Sequence, residues 1–334
     1  MRYIHELTDE IKVIPQPLDG CPVCLNHPNR VNILALGDVG TTMLIGLRLL
    51  GSDVVSEIGI CDIRQDNTAR LEMEINQIGY PFTEWDDPSG PELPSVRVIT
   101  KEELFDCEVM IFCASKGVPS VEDHPDEPPV DVRMVQLEAN RKIIRHFADL
   151  AKQADYRGLV CIVSDPVDNL AAAFYDASGL KPWQMQGYGL GVMNMRAAYY
   201  AGKMEGDCAL YAKEGRAFGP HGKDLVIANS LAHYNDELSK ELTRLTVQAN
   251  LCVRELGYKP YIAPALSSAA ISILLTLRGK WHYGSLYLGD CEQGAFLGVR
   301  NRLTTSGWEY EDAPLPDTLY ERVKRAYLNL CQVR

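Results

Sequence analysis

The chain has 334 residues, 46% hydrophobic and 23% charged, which supplies apolar material for a large core and excludes a disordered chain. Its 33 basic and 45 acidic residues leave a formal net charge of −12, which argues against the basic stripe that nucleic-acid binding needs. No stretch approaches the ~20 apolar residues of a membrane helix, and ten scattered cysteines, several inside apolar runs (VMIFCA, LVCIVS), read as free thiols of a reducing compartment. The opening residues, MRYIHELTDEIKVI, show no apolar signal core. The expected location is therefore cytoplasmic, with neither nucleic acid nor a membrane as partner.

Residues 1–30 form an arm rich in proline and polar residues, without a sustained period. A regular alternation follows. VNILAL (31–36) is a continuous apolar run and so a buried strand, and a glycine turn then opens a helix that reaches Leu50. A second strand ends at 55–62, a helix covers 67–78, and short strands occupy 96–99 and 109–114. Val132, Val135, Ala139, Ile143, Phe147 and Leu150 recur at three- and four-residue spacing, which predicts a long amphipathic helix. A buried strand at 159–164 closes this half. Strands without polar alternation, separated by helices, imply a Rossmann-type parallel sheet covered by helices on both faces.

Two proline-rich loops interrupt the pattern, at 81–95 and 117–131. The second is acidic and lies beyond a strand's carboxyl end, where open α/β sheets bind ligands, so it is placed to act as a lid. After Asp165 the order changes: helices at 168–176, 193–204, 235–256, 263–278 and 316–330 mix with strands at 185–190, 208–212 and 282–288. This predicts an arm (1–30), a dinucleotide-binding domain (31–165) and a mixed α+β substrate domain (166–334). Neither an internal repeat nor a low-complexity tract occurs.

The segment NILALGDVGTTMLIGL reads as strand, glycine turn and helix. Gly37 permits a tight turn. Gly40 lets the backbone of Asp38, Val39 and Gly40 approach a pyrophosphate at the helix N-terminus, where free N–H groups favour anions. Asp62, ending the next strand, is placed to accept from a ribose diol, which favours NAD over NADP because a carboxylate repels a 2′-phosphate; Arg64 weakens that preference slightly. The first glycine of the usual fingerprint is Ala35.

Several ordered stretches then resemble the L-lactate/malate dehydrogenase family: ALGDVG, RLEMEINQ, VMIFCAS, DVRMVQLEANRKII, GLVCIVSDPVDNL, GYGLGVMNMRAAYYA and GRAFGPHGKD. The resemblance implies NAD as cofactor, with Ala114 and Ser164 at strand ends beside it, a 2-oxo or 2-hydroxy acid as substrate, and a homo-oligomer, dimer or tetramer. It matches His221 to the histidine that passes a proton to the carbonyl oxygen, Arg196 to the arginine that grips the substrate carboxylate, and Arg133 to the arginine that polarises the carbonyl.

Three departures stand beside these matches. The family's aspartate that orients the histidine is Met193 here, with Asn194 next to it. The family's asparagine after the fifth strand is Asp165, which either replaces the missing partner of His221 or faces a cationic group of the substrate. The acidic loop is longer than usual and offers Val118 and Ser120 where malate enzymes carry arginine and lactate enzymes glutamine; Lys116 precedes it. These features predict an oxidoreductase that is neither a standard malate nor a standard lactate enzyme. The alternatives are a reductase of imines or cationic substrates using Asp165, and a non-catalytic NAD-responsive binding protein. Cys21, Cys24 and His27 have ligand-like spacing but no fourth ligand nearby, so no metal is expected. Asp168 is read as a residue that starts the next helix.

Overall fold

A computed structural model describes residues 1–7, 21–84, 87–88, 90–116, 132–204, 210–289 and 293–333, with the backbone alone described for 82–84, 87–88 and 132–136. The acidic loop at 117–131, with Val118 and Ser120, and the side chain of Arg133 therefore lie outside the described residues.

Parallel strands buried on both faces organise the fold. In chain order, β1 (Asn29–Leu34), α1 (Asp38–Leu50), β2 (Val55–Cys61), α2 (Gln65–Asn76), the short pair β3 (Phe82–Glu84) and β4 (Asp87–Pro88), β5 (Ser95–Val98), β6 (Val109–Phe112), α3 (Val132–Gln153) and β7 (Leu159–Ile162) form the first half. The second half has α4 (Val167–Ser178), β8 (Met185–Gly187), α5 (Leu190–Ala201), α6 (Tyr211–Glu214), β9 (Arg216–Phe218), β10 (Val226–Ala228) and α7 (Asp236–Glu255). It ends with a π-helical segment (Pro264–Ala270) running into α8 (Ile271–Leu277), then β11 (His282–Gly289), β12 (Gly294–Thr304), β13 (Gly307–Tyr310) and α9 (Asp317–Val333).

The main sheet runs β13-β12-β11-β8-β7-β6-β1-β2-β5. Neighbours from β5 to β8 pair in parallel, and β11, β12 and β13 extend the sheet antiparallel from β8. The period of two divides each central strand between two cores. Val109, Ile111, Leu159 and Cys161 pack with α1 and the 269–277 helical stretch; Met110, Phe112, Val160 and Ile162 pack with α3 and α4. This two-sided burial is why these strands read as unbroken apolar runs.

Three sequence expectations change. The strand expected at 208–212 is not found in its described part: Tyr211–Glu214 is a helical turn and the strand follows at Arg216–Phe218. The helix expected at 263–278 begins as a π-helix with Pro264 in its first turn. The arm is not separate where it is described: Arg2 bridges Leu315, and Ile4 and Leu7 are buried with Leu319, Tyr320 and Val323 of α9.

A buried polar network ties the two parts of the sheet. His282 Nε2 lies 3.0 Å from Thr276 Oγ1 and 3.1 Å from Gln186 Oε1, while Gln186 Nε2 donates to Asn301 Oδ1 at 2.7 Å. Burial pushes the His282 imidazole down from 6.5 to about 4. A histidine depressed in the folded state contributes stability that is present above its unfolded value and lost as pH falls towards the folded one. Between pH 7 and 5, wild type is therefore expected to lose about 2 kcal/mol more unfolding free energy than His282→Gln, measured by urea denaturation at both pH values. Equal losses in the two proteins would contradict this.

Candidate functional site

The carboxyl ends of β1, β2, β6, β7 and β8 share one edge of the sheet, and the residues singled out by sequence gather there. At the end of β1, Ala35 adopts φ 72°, a left-handed conformation that glycine favours. Asp62 holds this turn: one carboxylate oxygen accepts from the Leu36 amide at 2.6 Å and the other from the Arg64 amide at 2.9 Å. The Leu36 carbonyl in turn accepts from Asn67 Nδ2 at 3.2 Å and Thr41 Oγ1 at 3.0 Å, two residues that sequence reasoning passed over. Gly37 precedes α1 without a side-chain cap and has open space around it, while a Cβ on Gly40 would collide with the Ala35 carbonyl oxygen. Asp38, in the first turn of α1, pairs with Lys259 Nζ at 3.2 Å.

These residues fit a dinucleotide. The first N–H groups of α1 are uncapped, the glycines allow close backbone approach, and both Asp62 oxygens keep a second lone pair. Ala35→Gly is expected to raise stability by up to about 1 kcal/mol by removing left-handed strain, and Gly40→Ala to lower it by more than that. Urea unfolding of the two variants measures this; a destabilised Ala35→Gly would contradict it.

On the same edge, Ser164 Oγ donates to the Ala114 carbonyl at 2.8 Å and joins the ends of β6 and β7. Asn140, fully buried in α3, accepts from the Lys116 amide at 2.8 Å and donates to the Asp165 carbonyl at 2.9 Å. It connects the root of the acidic loop to the turn after β7. Its signal in the sequence was only a polar residue on the apolar face of an amphipathic helix.

Asp165 Oδ1 stands 3.0 Å from His221 Nδ1; the histidine side chain is 13% exposed and the aspartate 56%. Met193 is buried 3.4 Å beneath Arg196 Nη1, and Asn194 accepts from the Tyr211 hydroxyl at 3.0 Å. The carboxylate on the imidazole is thus supplied by the β7–α4 turn, not by α5. Arg196 also donates to Asn250 Oδ1 of α7, and among the described residues it forms no ion pair. Burial lowers its pKa, and the charge of Asp165 opposes that shift, which places the two in one electrostatic field. A guanidinium with donors to spare in such a place suits a carboxylate ligand.

Asp168 starts the next helix, as its sequence reading expects, and also does more. It lies in the first turn of α4, but Pro166 is the N-cap, and the Asp168 carboxylate reaches away from its own helix to accept from the His221 amide at 3.2 Å. Burial pushes its carboxyl up to about 6. Cys24 and His27 belong to a turn closed by the Asn29 amide, and no cluster of three or more potential metal ligands occurs among the described residues.

No family model matches the chain. It is 24% identical over 236 residues to L-lactate dehydrogenase of Mesomycoplasma hyopneumoniae (strain 232), covering 69% of this chain and 67% of that one. It is 27% identical over 220 residues to L-lactate dehydrogenase of Shouchella clausii (strain KSM-K16), covering 65% and 61%. The chain is a divergent sequence relative of these L-lactate dehydrogenases. Solved structures agree in fold. A lactate dehydrogenase from a Medee basin deep-sea metagenome library superposes with TM-score 0.71 at 17% identity, covering 92% of this chain and 98% of that one. The malate dehydrogenase of Picrophilus torridus gives 0.69 at 17%, covering 91% and 95%. No helix among the described residues is long and apolar enough to cross a membrane.

Proposed function

We propose that this protein transfers a hydride between NAD and C2 of a 2-oxo or 2-hydroxy acid. The observation that carries the reading is the Asp165–His221 contact at 3.0 Å, beside a half-buried Arg196 and on the same sheet edge as an uncapped glycine turn. Its relatives' names and the family's fold support the same chemistry.

Gly37, Asp38, Val39 and Gly40 would hold the pyrophosphate through α1's free N–H groups, and Asp62 the ribose diol, with Ala114 and Ser164 alongside. When bound, the nicotinamide supplies or accepts the hydride at C2. Arg196 would grip the substrate carboxylate with two parallel hydrogen bonds and so fix which face of C2 is presented. His221 would pass a proton to the carbonyl oxygen as that oxygen becomes an alkoxide. Asp165, on Nδ1, fixes the ring's orientation, leaving Nε2 for the substrate. Arg133, in the first turn of α3, is assigned to polarise the carbonyl. A carboxylate already engaged by His221 is less suited to hold a cationic substrate tail, and its presence removes the reason for reading the site as a lost one.

The test is NADH oxidation by purified protein against small, branched, aromatic, acidic and basic 2-oxo acids. Turnover on at least one class is expected. His221→Ala should lower kcat by ~10²–10⁴-fold, and Arg196→Lys should raise the KM for the oxo acid by about tenfold or more. NADH binding without turnover on any member of the panel would overturn the reading.

A further inference from the structure

The loop that carries His221 cannot fix itself. Gly219 and Gly222 flank it at φ 87° and 144°, both in the region open to glycine, so the intervening backbone is held by its surroundings. Besides the Asp165 contact on the ring, two hydrogen bonds from other elements hold it: the Gly219 amide donates to the Gly298 carbonyl at 2.9 Å, and the His221 amide donates to Asp168 Oδ2 at 3.2 Å. Only the last engages the backbone of the histidine itself.

We propose that Asp168 is a positioning residue for the proton-transfer histidine, its ionised carboxylate holding the His221 amide so that the imidazole stays against Asp165. The proposal rests on the proton-transfer role assigned to His221 above. Asp168 is only 6% exposed and makes no side-chain cap to α4, so its hydrogen-bonding capacity is directed to the histidine loop. A buried carboxylate is costly unless it is hydrogen-bonded, and here the His221 amide donates to it, while the Ser285 hydroxyl of β11, itself donating to the Gly187 carbonyl at 3.3 Å, favours its ionised form. The charged groups acting on it are His221, which favours ionisation, and Asp165, which opposes it.

A pH dependence follows. Ionised, the carboxylate makes a charge-assisted bond to the amide; protonated, it offers a weaker neutral acceptor. Its carboxyl sits at about 6, so the hold on His221 loosens as pH falls through that value. Oxo-acid reduction needs a protonated His221 and by itself would speed up in acid. Loosening of the loop instead imposes a fall on the acid side.

The experiment follows kcat and KM for oxo-acid reduction from pH 5 to 8 in wild type, Asp168→Asn and Ser285→Ala. NADH affinity and the imidazole NMR titration of His221, assigned by the signal lost in His221→Gln, are measured in the same proteins. In wild type the His221 resonance should show a second inflection near pH 6, matched by the acid fall in kcat. Asp168→Asn should lower kcat at least tenfold at pH 7 while NADH affinity and KM stay within about twofold, and should abolish the second inflection. Ser285→Ala, which removes a hydroxyl that favours the ionised carboxylate, should move the inflection and the acid fall to higher pH, and it serves even if Asp168→Asn does not fold. The proposal is overturned if folded Asp168→Asn keeps kcat within twofold and the His221 titration is unchanged, or if Ser285→Ala leaves both midpoints in place. Absence of turnover in wild type with the second inflection present would remove the dehydrogenase reading and leave the Asp168–His221 coupling standing.

Discussion

A carboxylate on the imidazole of His221 is the contact on which the rest of the site depends. An imidazole that must gain and lose a proton needs a fixed ring and a nearby negative charge, and the residue that provides both is not conserved in position by any requirement of the chemistry. Here the charge comes from the turn after β7, where Asp165 stands 3.0 Å from Nδ1. The α5 position from which the family's aspartate would act is filled by Met193, buried in the core beside Arg196. On the proposed reading, the Asp165 carboxylate stands in for the acid that Met193 does not supply.

The supports of that contact come from elements far apart in the chain. Asn140 of α3 holds the Asp165 carbonyl, Ser164 ties the end of β7 to the end of β6, and Asp168 of α4 holds the His221 amide. Each uses a buried polar group among apolar neighbours, which is tolerated because each is hydrogen-bonded. The glycine turn uses the same device, with Asp62 and Asn67 clamping opposite sides of Leu36. Both halves of the site are thus built at the carboxyl ends of strands with mostly apolar interiors, so rigidity comes from the sheet and chemistry from the turns.

Much of this was legible in the residues. Apolar runs without alternation named the central strands, since only strands covered on both faces can be so written, and Asp165 was visible as a possible new partner because an acid replaced an amide. What escaped was of a different kind. Asp168 does start a helix, as its position suggests, but local spacing cannot show that its carboxylate also accepts from a loop 53 positions later. Asn140 looked like one polar residue in a long helix. The strand expected at 208–212 was misread because Tyr211 and Ala212 have sheet-like character locally, while Tyr211 is in fact buried in a helical turn against α5 residues. Long-range hydrogen bonds leave no periodic trace in a sequence, and tertiary burial overrides propensity in short elements.

The relocation of the carboxylate is tested most directly by moving it back. Steady-state kcat for oxo-acid reduction would be measured in Asp165→Asn and in the double variant Asp165→Asn/Met193→Asp. A relocated partner predicts a loss of ~10²-fold or more in the single variant, and recovery of at least about tenfold when the acid is restored on α5. An Asp165→Asn protein within about threefold of wild type would contradict it, because an amide would then serve as well as the charge.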